Sequence, residues 1–214
     1  MLHDRFLHPE LARVLLPLAF DARDGAHDEA HLLRVWRNAA NIIDGEEGGD
    51  AEILVAATIL HDCVWVDKAS PERSRASRMA AAKASQILSS LGWPEDRIGP
   101  VAHAIEAHSF SAGIPPLSLE AKILQDADRL DAIGYIGVAR CFYIAGMSRA
   151  SIYDPADPLA VNRARDDASY ALDHFQTKLL KLSDNFCTPT GRRMAAERAT
   201  RLRDYYEGLL SEIC

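Results

Sequence analysis

Residues 51–68 read AEILVAATILHDCVWVDK, an apolar run that ends in the pair His61-Asp62. A stretch that is apolar nearly all round marks a helix buried on every side. We therefore read 51–65 as the central helix of an all-α chain. The polar pair needs a reason to be there. One is a capped helix end. The other is a metal site, because adjacent helical side chains diverge by about 100° and can occupy two corners of one coordination sphere. A metal site needs further ligands elsewhere.

Outward from this helix the chain repeats one theme: Ala, Leu, Arg and Glu dominate, and alternating β-branched runs are absent. Helical periodicity covers 8–20, 28–43, 74–93, 95–110 and 119–146, with two more helices over roughly 162–183 and 190–212. Gly92 and Pro94 end one of these, and Gly134 and Gly137 mark close packing by another helix. No repeat or low-complexity tract marks a linker. The expectation is a single all-α domain over 1–214, a bundle of about eight to ten helices with its core in about 20–205.

Composition excludes several classes. The 214 residues are 48% hydrophobic and 26% charged, ordinary for a globular protein. A formal charge of -7 argues against general nucleic-acid binding. No run reaches the ~18 apolar residues of a membrane span, and the N-terminus lacks the pattern of a signal peptide. We expect a cytoplasmic protein. Cys63, Cys141, Cys187 and Cys214 form no CxxC pair, which points to reduced thiols.

Two other stretches favour the metal reading. His27 and His31 lie four apart and share a helical face. Asp126, Asp128 and Asp131 sit in an otherwise apolar helix, where carboxylates are costly unless compensated; for Asp128 an ion pair with Arg129 is the alternative. An imidazole from the second helix, the His-Asp pair and a later aspartate make a mixed nitrogen and oxygen site suited to Mn²⁺, Mg²⁺, Co²⁺, Ni²⁺, Fe²⁺ or Zn²⁺.

The order His31, His61-Asp62, Asp128 resembles the HD superfamily of metal-dependent phosphohydrolases. The stretches HDEAHLLRV (27–35), ILHDCVWVDK (59–68), SPERSRAS (70–77), KILQDADRLDAIGYIGVAR (122–140), HFQTKLLKL (174–182) and TPTGRRMAAERATRL (188–202) resemble one bacterial branch of it. The resemblance implies an all-α HD fold and one divalent metal held by His31, His61, Asp62 and Asp128. Asp128 is preferred to Asp126 because ADRL matches the family's context. It also implies hydrolysis of phosphate esters or anhydrides in a small phosphorylated molecule. The leading expectation is a (deoxy)nucleoside triphosphate cleaved to monophosphate and pyrophosphate.

Such chemistry needs an activated water, which Asp62 would orient, and cations around the phosphoryl group. Arg34 and Lys68 are the catalytic candidates. Arg34, Lys68, Arg73 and His108 are the candidates for substrate binding. His103 reads as a surface or core residue. The glutamate that several relatives carry soon after the HD pair is missing, since Cys63, Val64, Trp65 and Val66 follow. The roles tied to it, in 5′-nucleotidases and alarmone hydrolases, do not transfer. The alternatives are an HD-fold nucleotide sensor without turnover, and a two-metal HD-fold oxygenase that would draw on His27, His103 and His108. HDEAH also approaches the zinc-protease helix, but it has Asp28 where that mechanism needs Glu. A homodimer is expected only because soluble proteins so often form one.

Overall fold

The computed structural model describes residues 1–19, 29–66, 70–109 and 112–213, the side chains of Pro71 and Arg73 excepted. Among them are nine α-helices and no strand, so the chain is all-α. They form two compact units, residues 1–128 and 129–214.

The first unit holds α1 (Pro9–Leu15), α2 (Glu29–Gly45), α3 (Ala51–Leu60), α4 (Ala76–Ser90), α5 (Glu95–His108) and most of α6 (Leu119–Asp131). Helix α3 is its centre: every residue from Ile53 to Leu60 is buried, and α1, α2, α4 and α5 all pack on it. Each aliphatic side chain buried this way contributes about 1.5–3 kcal/mol. Its start is fixed by Asp50, whose Oδ1 accepts from the Glu52 and Ile53 amides at 2.9 and 3.1 Å. A cap of this kind is worth about 0.5–2 kcal/mol. Arg97 of α5 reaches the same carboxylate at 3.1 Å and Glu52 at 2.6 Å.

Helix α2 buries His31, Leu32, Val35, Trp36, Ala39 and Ile42, a helical stripe. Asn38 on the same helix donates to the Ala127 carbonyl of α6 at 2.9 Å. From the other side, Gln125 of α6 donates to the Ala107 carbonyl of α5 at 2.6 Å. These two bonds bracket the segment that carries Asp126 and Asp128.

The second unit contains α7 (Gly134–Met147), α8 (Ala171–Thr177) and α9 (Pro189–Ile213). It corrects two expectations. The helix read over 119–146 breaks after Asp131. Gly134 adopts φ +69°, a left-handed conformation that a side chain would strain. The turn folds back so tightly that a Cβ on Gly137 would lie 2.3 Å from the Ala132 oxygen. The reading of Gly134 as a packing site does hold, because its Cα faces Arg198 of α9.

The helix read over 162–183 begins only at Ala171, and its last part, Leu179–Asn185, is a 3₁₀ stretch. Side chains hold residues 157–170 out of helical form. Asp157 accepts from the Val161 and Asn162 amides at 2.9 and 2.7 Å, and Asp166 accepts from the Ala168 and Ser169 amides. Arg163 joins Asp154 and the buried Asp173 and lies over the Tyr170 ring. Phe142, Phe175, Tyr205 and Tyr206 form the aromatic core of this unit.

Candidate metal centre

The expected helix over 51–65 stops at Leu60, and the reason is His61. Its Nδ1 lies 2.7 Å from the Thr58 carbonyl oxygen. That carbonyl would otherwise accept from the amide of residue 62, so the ring occupies one of the orphan acceptors of the last turn. The Cys63 amide bonds instead to the Leu60 oxygen at 3.2 Å. A carbonyl can only accept, so Nδ1 carries a proton, and in the neutral ring Nε2 is the nitrogen left to coordinate. The same device recurs at the end of α5, where His108 Nδ1 lies 2.6 Å from the Ile105 oxygen.

The three Nε2 atoms converge on two carboxylates. His31 Nε2 is 3.7 Å from Asp62 Oδ2 and 3.5 Å from Asp128 Oδ1. His61 Nε2 is 3.5 Å from Asp62 Oδ2 and 3.9 Å from Asp128 Oδ1. His108 Nε2 is 3.8 Å from the other oxygen of Asp62, Oδ1. Two triads result, His31–His61–Asp128 and His61–Asp62–His108, each with its ligand atoms within 4.8 Å of one another. All five residues belong to the first unit. The His31 and His61 side chains are 1% and 0% exposed, whereas Asp62 and Asp128 are 35% and 31% exposed. The carboxylates therefore form the side open to water and ligands.

The residues fit a divalent ion. The separations exceed the ~2.7–3.2 Å of a hydrogen bond. They match the roughly 3.0–4.2 Å between ligand atoms that each stand about 2.1 Å from one ion. His61 Nε2 is buried without a hydrogen-bond partner, a costly state unless a cation takes the lone pair. Burial, and after it the neighbouring His61, pull the His108 imidazole below the ordinary histidine range, against Asp62 and Asp128.

The structure thus brings together His31, His61, Asp62 and Asp128, and adds His108. Asp126, two residues from Asp128 and so on another face of α6, is fully buried and is in neither triad. The Arg129 guanidinium bonds the Asn185 carbonyl and lies 5.5 Å over the Phe186 ring. Arg34 stands half-buried one turn beyond His31. Lys68, His27 and the side chain of Arg73 lie outside the described residues. His103 accepts the Leu117 amide on Nε2 at 3.0 Å. Sequence reading grouped His108 with the substrate binders and named it as a metal ligand only in the two-metal alternative. Only its pinned ring places it beside Asp62.

Comparison with known proteins adds an independent line. The model of the HD domain matches residues 29–133, a span that includes the whole cluster. The YpgQ protein of Bacillus subtilis is 33% identical over 191 residues, covering 87% of this chain and 84% of its own length. The crystal structure of YpgQ in complex with ADP is similar at 30% identity and TM-score 0.71, covering 99% of this chain and 95% of that one. An HD-superfamily hydrolase of Bacillus thuringiensis is similar at 31% identity and TM-score 0.71, covering 95% and 96%. Among the described residues, no single helix is long and apolar enough to cross a membrane.

Proposed function

The chain belongs to the HD superfamily, and from that premise we propose that it is a divalent-metal-dependent phosphohydrolase acting on nucleotides. The observation that carries the reading is the convergence of His31, His61, Asp62 and Asp128 at 3.5–3.9 Å, with the His61 lone pair buried and unbonded. These four residues are the proposed ligands. We take the whole chain as one functional domain, a cytoplasmic enzyme of small phosphorylated substrates.

A divalent ion held by these residues would supply Lewis acidity and lower the pKa of a water, so that its deprotonated form is available as nucleophile near neutral pH. The protein does the rest. The Thr58 carbonyl fixes the His61 ring and keeps its Nδ1 protonated. Asp62 and Asp128, on the open side, are proposed to orient an attacking water. Arg34 lies one turn from His31 and is proposed to meet the phosphate chain, with Lys68 and Arg73 from the segment after the His-Asp pair. Positive groups there offset the charge that grows on phosphoryl oxygens during attack.

The substrate proposed is a (deoxy)nucleoside triphosphate cleaved to monophosphate and pyrophosphate. The ADP bound by YpgQ supports a nucleotide ligand. The test is protein stripped with EDTA, assayed with deoxynucleoside triphosphates before and after Mn²⁺ is restored, with products separated by anion exchange. Monophosphate and pyrophosphate appearing only with metal bear the proposal out. Turnover that is indifferent to EDTA, or none with any nucleotide after metal is bound, refutes it.

A further inference from the structure

We propose that Lys83 is a positioning residue for the metal centre: by holding the Cys63 carbonyl from α4, it aims the neighbouring Asp62 carboxylate at the ion. The inference rests on the metal-centre reading above and extends it to a residue outside both triads.

The chain leaves α3 through three residues, and the first and third are pinned. His61 is tied to its own helix through the Thr58 carbonyl at 2.7 Å. Cys63 is tied to α4 twice. Its thiol donates to the Ala80 carbonyl, with sulfur and oxygen 3.5 Å apart, and its own carbonyl accepts from the Lys83 ammonium at 2.8 Å. Ala80 and Lys83 lie three apart, on one face of α4. Asp62 is the middle residue, with both chain neighbours fixed. Its side chain is 35% exposed, so packing constrains the carboxylate far less than it constrains the buried rings of His31 and His61. The backbone on either side therefore sets where the carboxylate points.

The residue types explain why the grip falls to a lysine. Cys63 is fully buried, and a buried carbonyl needs a donor. The turn also stands just past the negative end of α3, where a cation is favoured. Ala80, Ala81 and Ala84 are buried and small, so α4 can come close to this turn. The half-buried lysine runs its stem along that face while its head reaches the carbonyl. A bond from an ammonium is charge-assisted and stronger than one between neutral groups. That suits a contact that must hold its place while a dication pulls on Asp62.

The test compares wild type with Lys83→Met, which keeps the stem without the donor, and Lys83→Arg, which keeps a cationic donor. Lys83→Gln, whose neutral donor falls short of the carbonyl, is a second loss variant held to the same outcomes as Lys83→Met. Each protein is stripped with EDTA, checked by circular dichroism and Tm, and titrated with Mn²⁺ by calorimetry. The visible spectrum of the Co²⁺-loaded protein is the second readout. Lys83→Met should fold and bind Mn²⁺ about 10- to 100-fold more weakly, the range for losing an outer-shell partner. Its Co²⁺ band should change in position or intensity, and Lys83→Arg should recover affinity. A bond that only stabilises the contact of α3 with α4 would lower Tm and leave the Mn²⁺ affinity and the Co²⁺ spectrum unchanged. That result overturns the proposal and leaves the metal centre standing. Affinity as low in Lys83→Arg as in Lys83→Met overturns it too. Wild type that binds neither Mn²⁺ nor Co²⁺ overturns the metal centre itself, and this inference with it.

Discussion

His61 Nδ1 stands 2.7 Å from the carbonyl oxygen of Thr58, so one contact ends the central helix and fixes the tautomer of a proposed ligand. Asparagine can keep that bond but has no atom where Nε2 stands, whereas glutamine reaches the Nε2 position. We expect His61→Asn to fold and to bind Mn²⁺ at least about 100-fold more weakly, beyond the range typical of losing an outer-shell partner. His61→Gln should retain more affinity than His61→Asn. Titration of both variants with Mn²⁺ by calorimetry checks the order, and equal affinities would contradict it.

Asp128 and Asp126 lie two residues apart on α6 but face different surroundings. Asp128→Asn should lose metal while its Tm in the absence of metal changes little, since its carboxylate is 31% exposed. Asp126→Asn alters a fully buried group and should cost about 1–3 kcal/mol of stability. Its metal affinity should stay near wild type. Denaturant midpoints and Mn²⁺ titrations of the two variants separate these outcomes.

Gly137 closes the turn between α6 and α7. A Cβ there would meet the Ala132 oxygen at 2.3 Å, so backbone must move to admit alanine. Gly137→Ala should lower stability by about 1–3 kcal/mol, or several degrees in Tm for a chain of this size. Gly146→Ala, where a Cβ meets nothing within 4 Å, is the matched control and should not destabilise.

Asp50 and Asp173 predict acid sensitivity. Burial alone would raise the Asp173 carboxyl, but Arg163 and the Asp166 amide outweigh it and hold it below the usual carboxylate range. For Asp50 burial is likewise outweighed, by the Ile53 amide and Arg97. A depressed folded pKa contributes stability above the unfolded value of about 3.9 and loses it as pH falls through the folded value. Urea midpoints should therefore hold between pH 5 and 7, as far as these groups decide, and drop below about pH 4. In Asp173→Asn the midpoint should start lower at neutral pH and fall less steeply in acid.

Much of the site was legible because its signals are local. The period of α2 places His31, Leu32 and Val35 on one buried face, and the apolar run of α3 delivers His61 and Asp62 to one end of it. What stayed hidden depends on distant partners. Residues 162–170 have helical composition, yet Arg163 binds Asp154 and Asp173 across the loop. Residues 119–132 are mostly good helix formers and the apolar pattern runs on to 146, yet the helix breaks with the conformation of Gly134 and the contact at Gly137. The place of His108 turns on where α5 ends, because only a C-terminal ring can reach back to the Ile105 carbonyl.

The most direct test of the central claim is ³¹P NMR of EDTA-quenched reactions, with Mn²⁺ and deoxynucleoside triphosphates, run side by side on wild type and Asp62→Ala. We predict a pyrophosphate signal with wild type and none with Asp62→Ala, whose helical circular dichroism should match wild type. Full turnover by Asp62→Ala with metal still bound would contradict the assignment of the site. Orthophosphate alone from wild type would contradict pyrophosphohydrolysis and leave a phosphatase.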